Sequence, residues 1–498
     1  MRRELLVNAT PPETRVAVLE DGRTVEVLHE RRGHQGLVGN VYLARVHRVL
    51  PGMHAAFVSI GLERDAFLYV QDVLPRTVEA DGEEKEPGAR SAGDAGAAAD
   101  RARIEDLLRE GQDIVIQVTK DPLFGKGPRV TANIALPGRL LVCLPGARGI
   151  GVSRRITDDA ERERLRGILE GFPPGAGWIA RTAAEGCEVA DFQSDRQYLE
   201  EIAARIRRKA ESASGPLLIQ RELDIALRSL RDLVTQDFAA ILVDEAGVRE
   251  RIVEFLDAVA PRLAARVELD EGPEPLFTRF GVEAEIENAL KNRVHLKSGG
   301  SVVVQQTEAL VAIDVNTGKF VGSDALEETV FATNLEAVSE IARQIRLRDL
   351  GGILVVDFID MEDPAHRREV FERFERELAR DRARTRLLQI SEFGLVEVTR
   401  QRTRGNLERT LTRPCPCCGG SGRAKTDLSV ALDLRRDLLS AANLYAPGDT
   451  VRLRVRSSLA HLLAEEEAKI LPEIEGRLGV RLQLVEDDTL PPTEYEIL

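Results

Sequence analysis
Two apolar runs, LVAIDVN at 310–316 and GILVVDFID at 352–360, each carry an aspartate where the apolar pattern gives out. Short runs of this kind read as strands buried in a sheet, and the stretch between them, about 324 to 348, reads as a long helix. A strand, a helix and a second strand in that order leave few folds open: the strands are parallel and joined by a right-handed crossover. If the two strands are neighbours, about 4.8 Å apart, Asp314 and Asp357 emerge together at the carboxyl edge of the sheet, where α/β folds place their chemistry.

Two carboxylates that close repel each other unless a cation lies between them. Mg²⁺ suits the place, because it accepts one or two carboxylates, keeps most of its waters and fills its shell with phosphate oxygens. Asn316, two residues past Asp314, shares its face and can orient a carboxylate or a water without adding charge. Taken singly, each aspartate reads as a cap on the loop after its strand; the pair with Asn316 favours the cation site. Asp360 and Glu362 are further carboxylates nearby, but Asp360, three residues past Asp357, faces the opposite side if the strand continues. No GxxxxGK[ST] loop and no GxGxxG follows a strand, so the usual nucleotide sites have no support. The seven histidines show no metal-ligand spacing and read as ordinary surface or core residues.

A chain of 498 residues with 43% hydrophobic side chains is expected to build several cores. RVAVLEDGRTVEVL is a hairpin around Asp21-Gly22 within a segment of about 4 to 30. Short strands then run from GNVYLARV to AFLYV and resume at DIVIQVTK, which suits a small barrel of the oligonucleotide-binding (OB) type. Between them, about 76 to 101, the small and charged residues of VEADGEEKEPGARSAGDAGAAAD predict a disordered insertion. Strands at RLLVCLP and GWIARTA, a charged helix near 194–213, an alternation of helix and strand to about 270, and a small α/β tail after 427 complete the chain.

The net charge of −14 excludes a uniformly basic surface for indiscriminate nucleic-acid binding. Local basic grooves remain open to it: arginines from Arg367 to Arg380 read as a helix face paired with Glu372, Glu375 and Glu377, whereas from Arg382 to Arg404 the acidic partners thin out and the arginines read as a phosphate-facing strip. No apolar run reaches the ~18 residues of a membrane span, and the first residues lose their apolar character too early for a signal peptide. Five cysteines, two of them isolated in apolar surroundings, suit a reducing compartment, so a cytoplasmic protein is expected.

The other three cysteines lie in PCPCCGGSGR, 414–423. Zinc takes four ligands and a CxxC supplies two; no second CxxC or HxxxH exists to complete the set. A redox CxxC ordinarily opens a helix after a strand, which this arginine-rich loop does not resemble. The simplest completion is Cys415 and Cys418 from each of two copies around a two-fold axis. Cys417 is an extra thiol that can compete as a ligand.

Long segments resemble the ribonuclease E/G family: LLVNATPPETRVAVLE, VYLARVHRVLPGMHAAFVSIGL, GWIARTAAEG, LKSGGSVVVQQTEALVAIDVNTGKFVG, ATNLEAVSEIARQIRLRDLGGILVVDFIDM, LVEVTRQRTR and CPCCGGSG. NTGKFVG and the lack of a long C-terminal extension suit the G-like branch. The resemblance implies an α/β multidomain fold. In it, residues 1–36 and 217–280 form a discontinuous RNase H-like subdomain, 37–130 an S1-type OB domain and 131–216 a 5′-sensor domain. Residues 281–402 form a DNase I-like catalytic subdomain, 403–424 a zinc link and 425–498 a small C-terminal domain.

The implied activity is endonucleolytic cleavage of single-stranded, A/U-rich RNA with preference for a 5′-monophosphate, in ribosomal RNA precursor processing and mRNA decay. Asp314 and Asp357 match the family's Mg²⁺ ligands, with Asn316 assisting, and products with 5′-phosphate and 3′-hydroxyl ends are expected. Phe57 and Phe67, which from pattern alone read as barrel core, match base-stacking residues, with Lys126 as a phosphate contact. Arg181 and Thr182, from pattern alone simply exposed, match the pocket for the 5′-monophosphate, joined by Arg384. The family also implies a zinc-linked homodimer or higher oligomer, as the cysteines suggest. Two other readings compete: an RNA-binding factor without catalysis, which the presence of Asp314, Asn316 and Asp357 disfavours, and a metal-dependent phosphatase or DNA nuclease, which the OB and sensor segments disfavour.

Overall fold
The structure is a computed structural model that describes residues 2–33, 36–75, 77–78, 102–122, 126–318, 326–388, 394–402 and 406–498. The chain divides into a unit of residues 1–410 and a second of 411–498.

The first unit begins with three antiparallel strands, β1 (Arg3–Ala9), β2 (Glu13–Glu20) and β3 (Arg23–Arg31). Asp21 and Gly22 both take positive φ, 48° and 76°, the turn that matches strand twist in a two-residue hairpin. Next come β4 (Val41–Leu50), β5 (Ala55–Ser59), β6 (Ala66–Tyr69), β7 (Asp113–Lys120) and β8 (Arg129–Thr131). They pair in the order β4-β5-β6-β8-β7, and β7 returns to β4, closing a five-stranded barrel. Ala44, Val46, Ala56, Val58, Ala66, Leu68, Ile116, Val118 and Val130 fill it. The expected disordered insertion lies outside the described residues except for its start, where Thr77 bridges Arg148 and Val78 packs on Ala147 and Ile179.

A small sheet follows, in the order β11 (Ile150–Val152), β12 (Gly177–Ala180), β10 (Leu141–Leu144), β9 (Leu136–Pro137). Helices α1 (Asp159–Glu170) and α2 (Val189–Ser212) close its core around Trp178 and Phe192. The strand β13 (Leu217–Gln220) adds to β4 of the barrel. Then α3 (Ile225–Leu233), β14 (Phe238–Val243), α4 (Ala246–Val259) and β15 (Val267–Leu269) return to the first sheet, whose full order is β15-β14-β1-β2-β3. That sheet therefore joins residues more than two hundred positions apart, with the barrel and the small sheet between them.

The fourth sheet holds the two aspartate-bearing strands. β16 (Arg293–His295), β17 (Ser301–Gln306), β18 (Leu310–Asn316), β19 (Gly352–Asp357), β21 (Leu395–Arg400) and β20 (Thr385–Leu387) form one sheet in that order. β18 and β19 are parallel neighbours. Val311, Ile313, Val315, Leu354 and Val356 face one side, where α5 (Leu326–Leu347) and α6 (Pro364–Leu378) bury them under Ala337, Ile341, Ile345, Val370 and Phe374. Because side chains alternate along a strand, the residues between them are forced onto the open face.

In the second unit, α7 (Asp427–Ser440), β22 (Thr450–Val455), α8 (Ile470–Leu478), β23 (Arg481–Glu486) and β24 (Glu496–Ile497) form a three-stranded sheet, order β23-β22-β24, under its helices. No described helix is long and apolar enough to cross a membrane.

Candidate active site
Asp314 and Asp357 are register partners on β18 and β19, and both are exposed. Asn316 stands on the same face and donates from Nδ2 to Asp314 Oδ2 at 2.7 Å. Burial pushes the Asp357 carboxyl up, and the negative charges of Asp314 and Asp360 push it further. The reading of Asp360 as facing away fails for a simple reason: β19 ends at Asp357, so the alternation on which it rested stops there. The chain turns instead, and Asp360 joins the same negative field.

The turn is built by Asn334, fully buried on α5. Its amide donates to the Ile359 carbonyl at 2.8 Å and accepts from the Ile359 N–H at 3.2 Å. The site thus has two carboxylates side by side, a third close by, and one neutral amide. That donor set fits a hard divalent cation, which would relieve the repulsion and leave positions for water and phosphate. Among the described residues, no three His, Cys, Asp or Glu side chains gather into a closed metal-ligand set.

On the barrel, Phe57 and Phe67 are not core. They alternate with buried Ala56, Val58, Ala66 and Leu68 and stand half-exposed on the outer face. Their rings meet edge to face with centroids 5.4 Å apart. Tyr69, which the sequence reading passed over, extends the row: it lies 4.5 Å from Phe67, with the Arg129 guanidinium 4.8 Å from its ring centre. Period-2 spacing with Phe67 was the signal that could have found it. Lys126 is exposed. Aromatic rings in a row beside cations suit the flat faces and phosphates of an unpaired nucleic acid.

Arg181 and Thr182 follow β12. The Arg181 guanidinium donates to the Gly138 carbonyl and to Asp232 Oδ1, the latter at 2.9 Å, while Thr182 Oγ1 lies 3.2 Å from Ser153 Oγ. Arg384 is exposed and near Arg155, whose pKa falls through partial burial and the positive charge of Arg384. The structure brings Arg155, Ser153 and Asp232 to this place; residue type alone gave no sign of them.

The expected phosphate-facing strip breaks up. Arg400 is buried against Asp381 and Asp349, Arg402 donates to the Gly351 carbonyl, and Arg382 donates to the carbonyls of Asp232 and Leu233. Their partners come from other elements, which spacing along the sequence cannot show. Arg384 and Arg386 stay exposed, and Arg404 lies outside the described residues. The helical arginines pair as read in part: Arg373 and Arg380 both meet Glu377, while Arg367 donates to the Glu362 carbonyl.

In the second unit, Cys415 is exposed and Cys417 and Cys418 are half-buried. Gly419, Gly420 and Gly422 take positive φ, which lets the chain fold back on itself. The N–H groups of Gly420 and Gly422, then Cys415 and Ser421, hold the Cys418 thiol below its usual range. Backbone donors that favour the thiolate of Cys418 suit zinc, and the two cysteines of the CxxC supply half of a tetrahedral set.

Paired carboxylates on an open α/β sheet, with a barrel bearing a row of aromatic rings, are the equipment of a metal-assisted nucleic-acid hydrolase. The model of the family described as "Ribonuclease E/G family" matches residues 135–403, and that described as "RNase E/G, Thioredoxin-like domain" matches 414–498. Ribonuclease G of Escherichia coli K12 is 41% identical over the whole of both chains, and ribonuclease G of Haemophilus influenzae is 39% identical over 99% of each. Ribonuclease E of Escherichia coli K12 is 36% identical over all of this chain and 46% of its own length. The chain belongs to the ribonuclease E/G family. Although the tail matches a thioredoxin-like domain, its CxxC lies in a turn ahead of α7 and not at a strand-to-helix junction.

Proposed function
We infer that this chain, an endoribonuclease by its family, uses a divalent cation to hydrolyse single-stranded, A/U-rich RNA and prefers substrates with a 5′-monophosphate. The observation that carries the reading is the register pairing of Asp314 with Asp357, with Asn316 on the same open face. Asp314 and Asp357 would hold Mg²⁺. When bound, the ion supplies a water of lowered pKa and positive charge against the phosphoryl oxygens. Asn316 keeps Asp314 in one orientation, and Asn334 holds the turn that carries Asp360. Water as nucleophile leaves 5′-phosphate and 3′-hydroxyl ends.

Phe57 and Phe67, with Lys126, would hold the strand by stacking and charge. Arg181, Thr182 and Arg384 would take the terminal phosphate: a guanidinium fork and a hydroxyl match a dianion, and a triphosphate would be too large for it. We read the first sheet as RNase H-like, the small sheet as a 5′-sensor and the β16–β21 layer as DNase I-like. Cys415 and Cys418 would share one zinc with the same pair of a second copy, giving a homodimer. Action in the cytoplasm on ribosomal RNA precursors and mRNA completes the proposal.

The test is a 5′-monophosphorylated A/U-rich oligonucleotide incubated with Mg²⁺ and then with EDTA, beside Asp314→Asn and Asp357→Asn. Cleavage that survives EDTA, or a 2′,3′-cyclic phosphate among the products, would refute the mechanism. For the zinc link, one zinc per two chains and a dimer lost in Cys415→Ser are expected; one zinc per chain would refute sharing.

A further inference from the structure
The Arg181 guanidinium is held from two sides. One anchor is the Gly138 carbonyl, in a loop that is itself fixed: the fully buried Asp195 accepts from the N–H groups of Arg139, Leu140 and Leu141 at 3.0, 2.8 and 2.9 Å. Gly138 packs so close to that carboxylate that a Cβ there would lie 2.5 Å from Asp195 Oδ2. The backbone N–H of Arg181 is tied to the same loop, at Leu140 O, 2.8 Å away.

The other anchor is Asp232, near the end of α3 in a different layer. Burial alone would push its carboxyl up; the Arg231 guanidinium, followed by that of Arg181, overcomes this and holds it at about 2. Arg231 meets both Asp232 oxygens, at 3.1 and 2.9 Å, so the carboxylate cannot swing away. Immediately beyond, Arg382 of the catalytic layer donates to the Asp232 carbonyl at 2.6 Å and to the Leu233 carbonyl, capping the helix end. Arg382 is two residues from Arg384.

A guanidinium carries five N–H donors, and these two anchors use two of them. The anchors fix the plane of the fork, and the donors that remain are aimed by it.

We propose that Asp232 is the positioning residue of the 5′-end site: its carboxylate aims Arg181 at a terminal phosphate, while Arg382 docks on the backbone carbonyls of the same helix end. This rests on the reading of Arg181 as the 5′-monophosphate contact. A carboxylate serving only as glue between layers would affect folding and leave end discrimination alone.

The experiment compares kcat/KM for 5′-monophosphorylated and 5′-hydroxyl forms of one A/U-rich oligonucleotide, so that loss of folded enzyme cancels within each variant. In Asp232→Asn the preference for the monophosphate should fall about tenfold, the scale of one charge-assisted hydrogen bond. The double variant Arg181→Gln, Asp232→Asn should lose no more than Arg181→Gln alone, because both changes remove the same interaction. Asp232→Glu keeps the charge beside Arg231 and so protects the fold, yet it displaces the carboxylate by a methylene; its preference should also fall. If Arg181→Gln loses the preference while Asp232→Asn or Asp232→Glu keeps it, Asp232 has no part in discrimination. If Arg181→Gln itself keeps it, the end-recognition reading fails first.

Discussion

The first sheet and the β16–β21 sheet each contain a parallel strand pair with an aspartate at its carboxyl end, and the two ends have opposite fates. Beyond β1 and β14, Asp244 accepts from Asn8 Nδ2 at 2.6 Å and from the Ala9 N–H at 2.8 Å. Asn8 in turn accepts from Arg15, which is paired with Glu283. Each charged group named there has a hydrogen-bond or ion-pair partner within the protein. Beyond β18 and β19, Asp314 faces Asp357 and the one donor close to either is Asn316 among the described contacts, while Asp360 adds a third negative charge. Parallel strand ends bring polar groups together in both places; among the described contacts Asp244 has two N–H donors, whereas Asp314 has one and stands beside Asp357. A satisfied aspartate is structure, and an unsatisfied pair is a place for a cation.

The strongest way to break this contrast is to neutralise one carboxylate in each place. Asp314→Asn should lower cleavage by about three orders of magnitude, since several kcal/mol of charge stabilisation depends on it, and should leave the melting temperature unchanged or raised, because a repulsion is removed. Asp244→Ala should do the reverse, costing about 2–3 kcal/mol in urea unfolding by orphaning two donors while cleavage per folded molecule persists. Equal losses of activity in the two variants would end the distinction.

Asp232 extends the satisfied class and adds a pH signature. Its carboxyl is depressed from 3.8 to about 2, so its ion pairs contribute roughly 2 kcal/mol. That contribution is complete above pH 3.8 and is lost as the pH falls toward about 2. The stability difference between the wild type and Asp232→Asn should follow that curve; a difference indifferent to pH would mean that the asparagine acts through packing. The smallest effect is expected at Asp360: Asp360→Asn should raise the Mg²⁺ concentration for half-maximal cleavage about two- to fivefold, the scale of one nearby exposed charge. An unchanged Mg²⁺ titration would remove Asp360 from the site.

Period and spacing made the β16–β21 layer legible. Val, Ile and Leu at alternate positions fix which face of β18 and β19 is buried, so the opposite placement of Asp314 and Asp357 follows. The same rule misled where the element ended: Asp360 obeys a turn held by Asn334, and nothing near Asp360 in the sequence announces it. At Phe57 and Phe67 alternation shows only that they lie opposite Ala56, Val58, Ala66 and Leu68; as both sets are apolar, the closed barrel decides which faces inward.

The sequence by itself determined the parallel strand pair, its two aspartates and the half set of cysteines, because alternation and ligand spacing are local. Only the tertiary structure decided which charges are answered and which are left open. Arg400, Arg382 and Asp244 find partners 19 to 236 residues away, and electrostatics depends on distance through space. That is why Asp232, an unremarkable aspartate in LRSLRDLV, becomes visible only when Arg181, Arg231 and Arg382 converge on it.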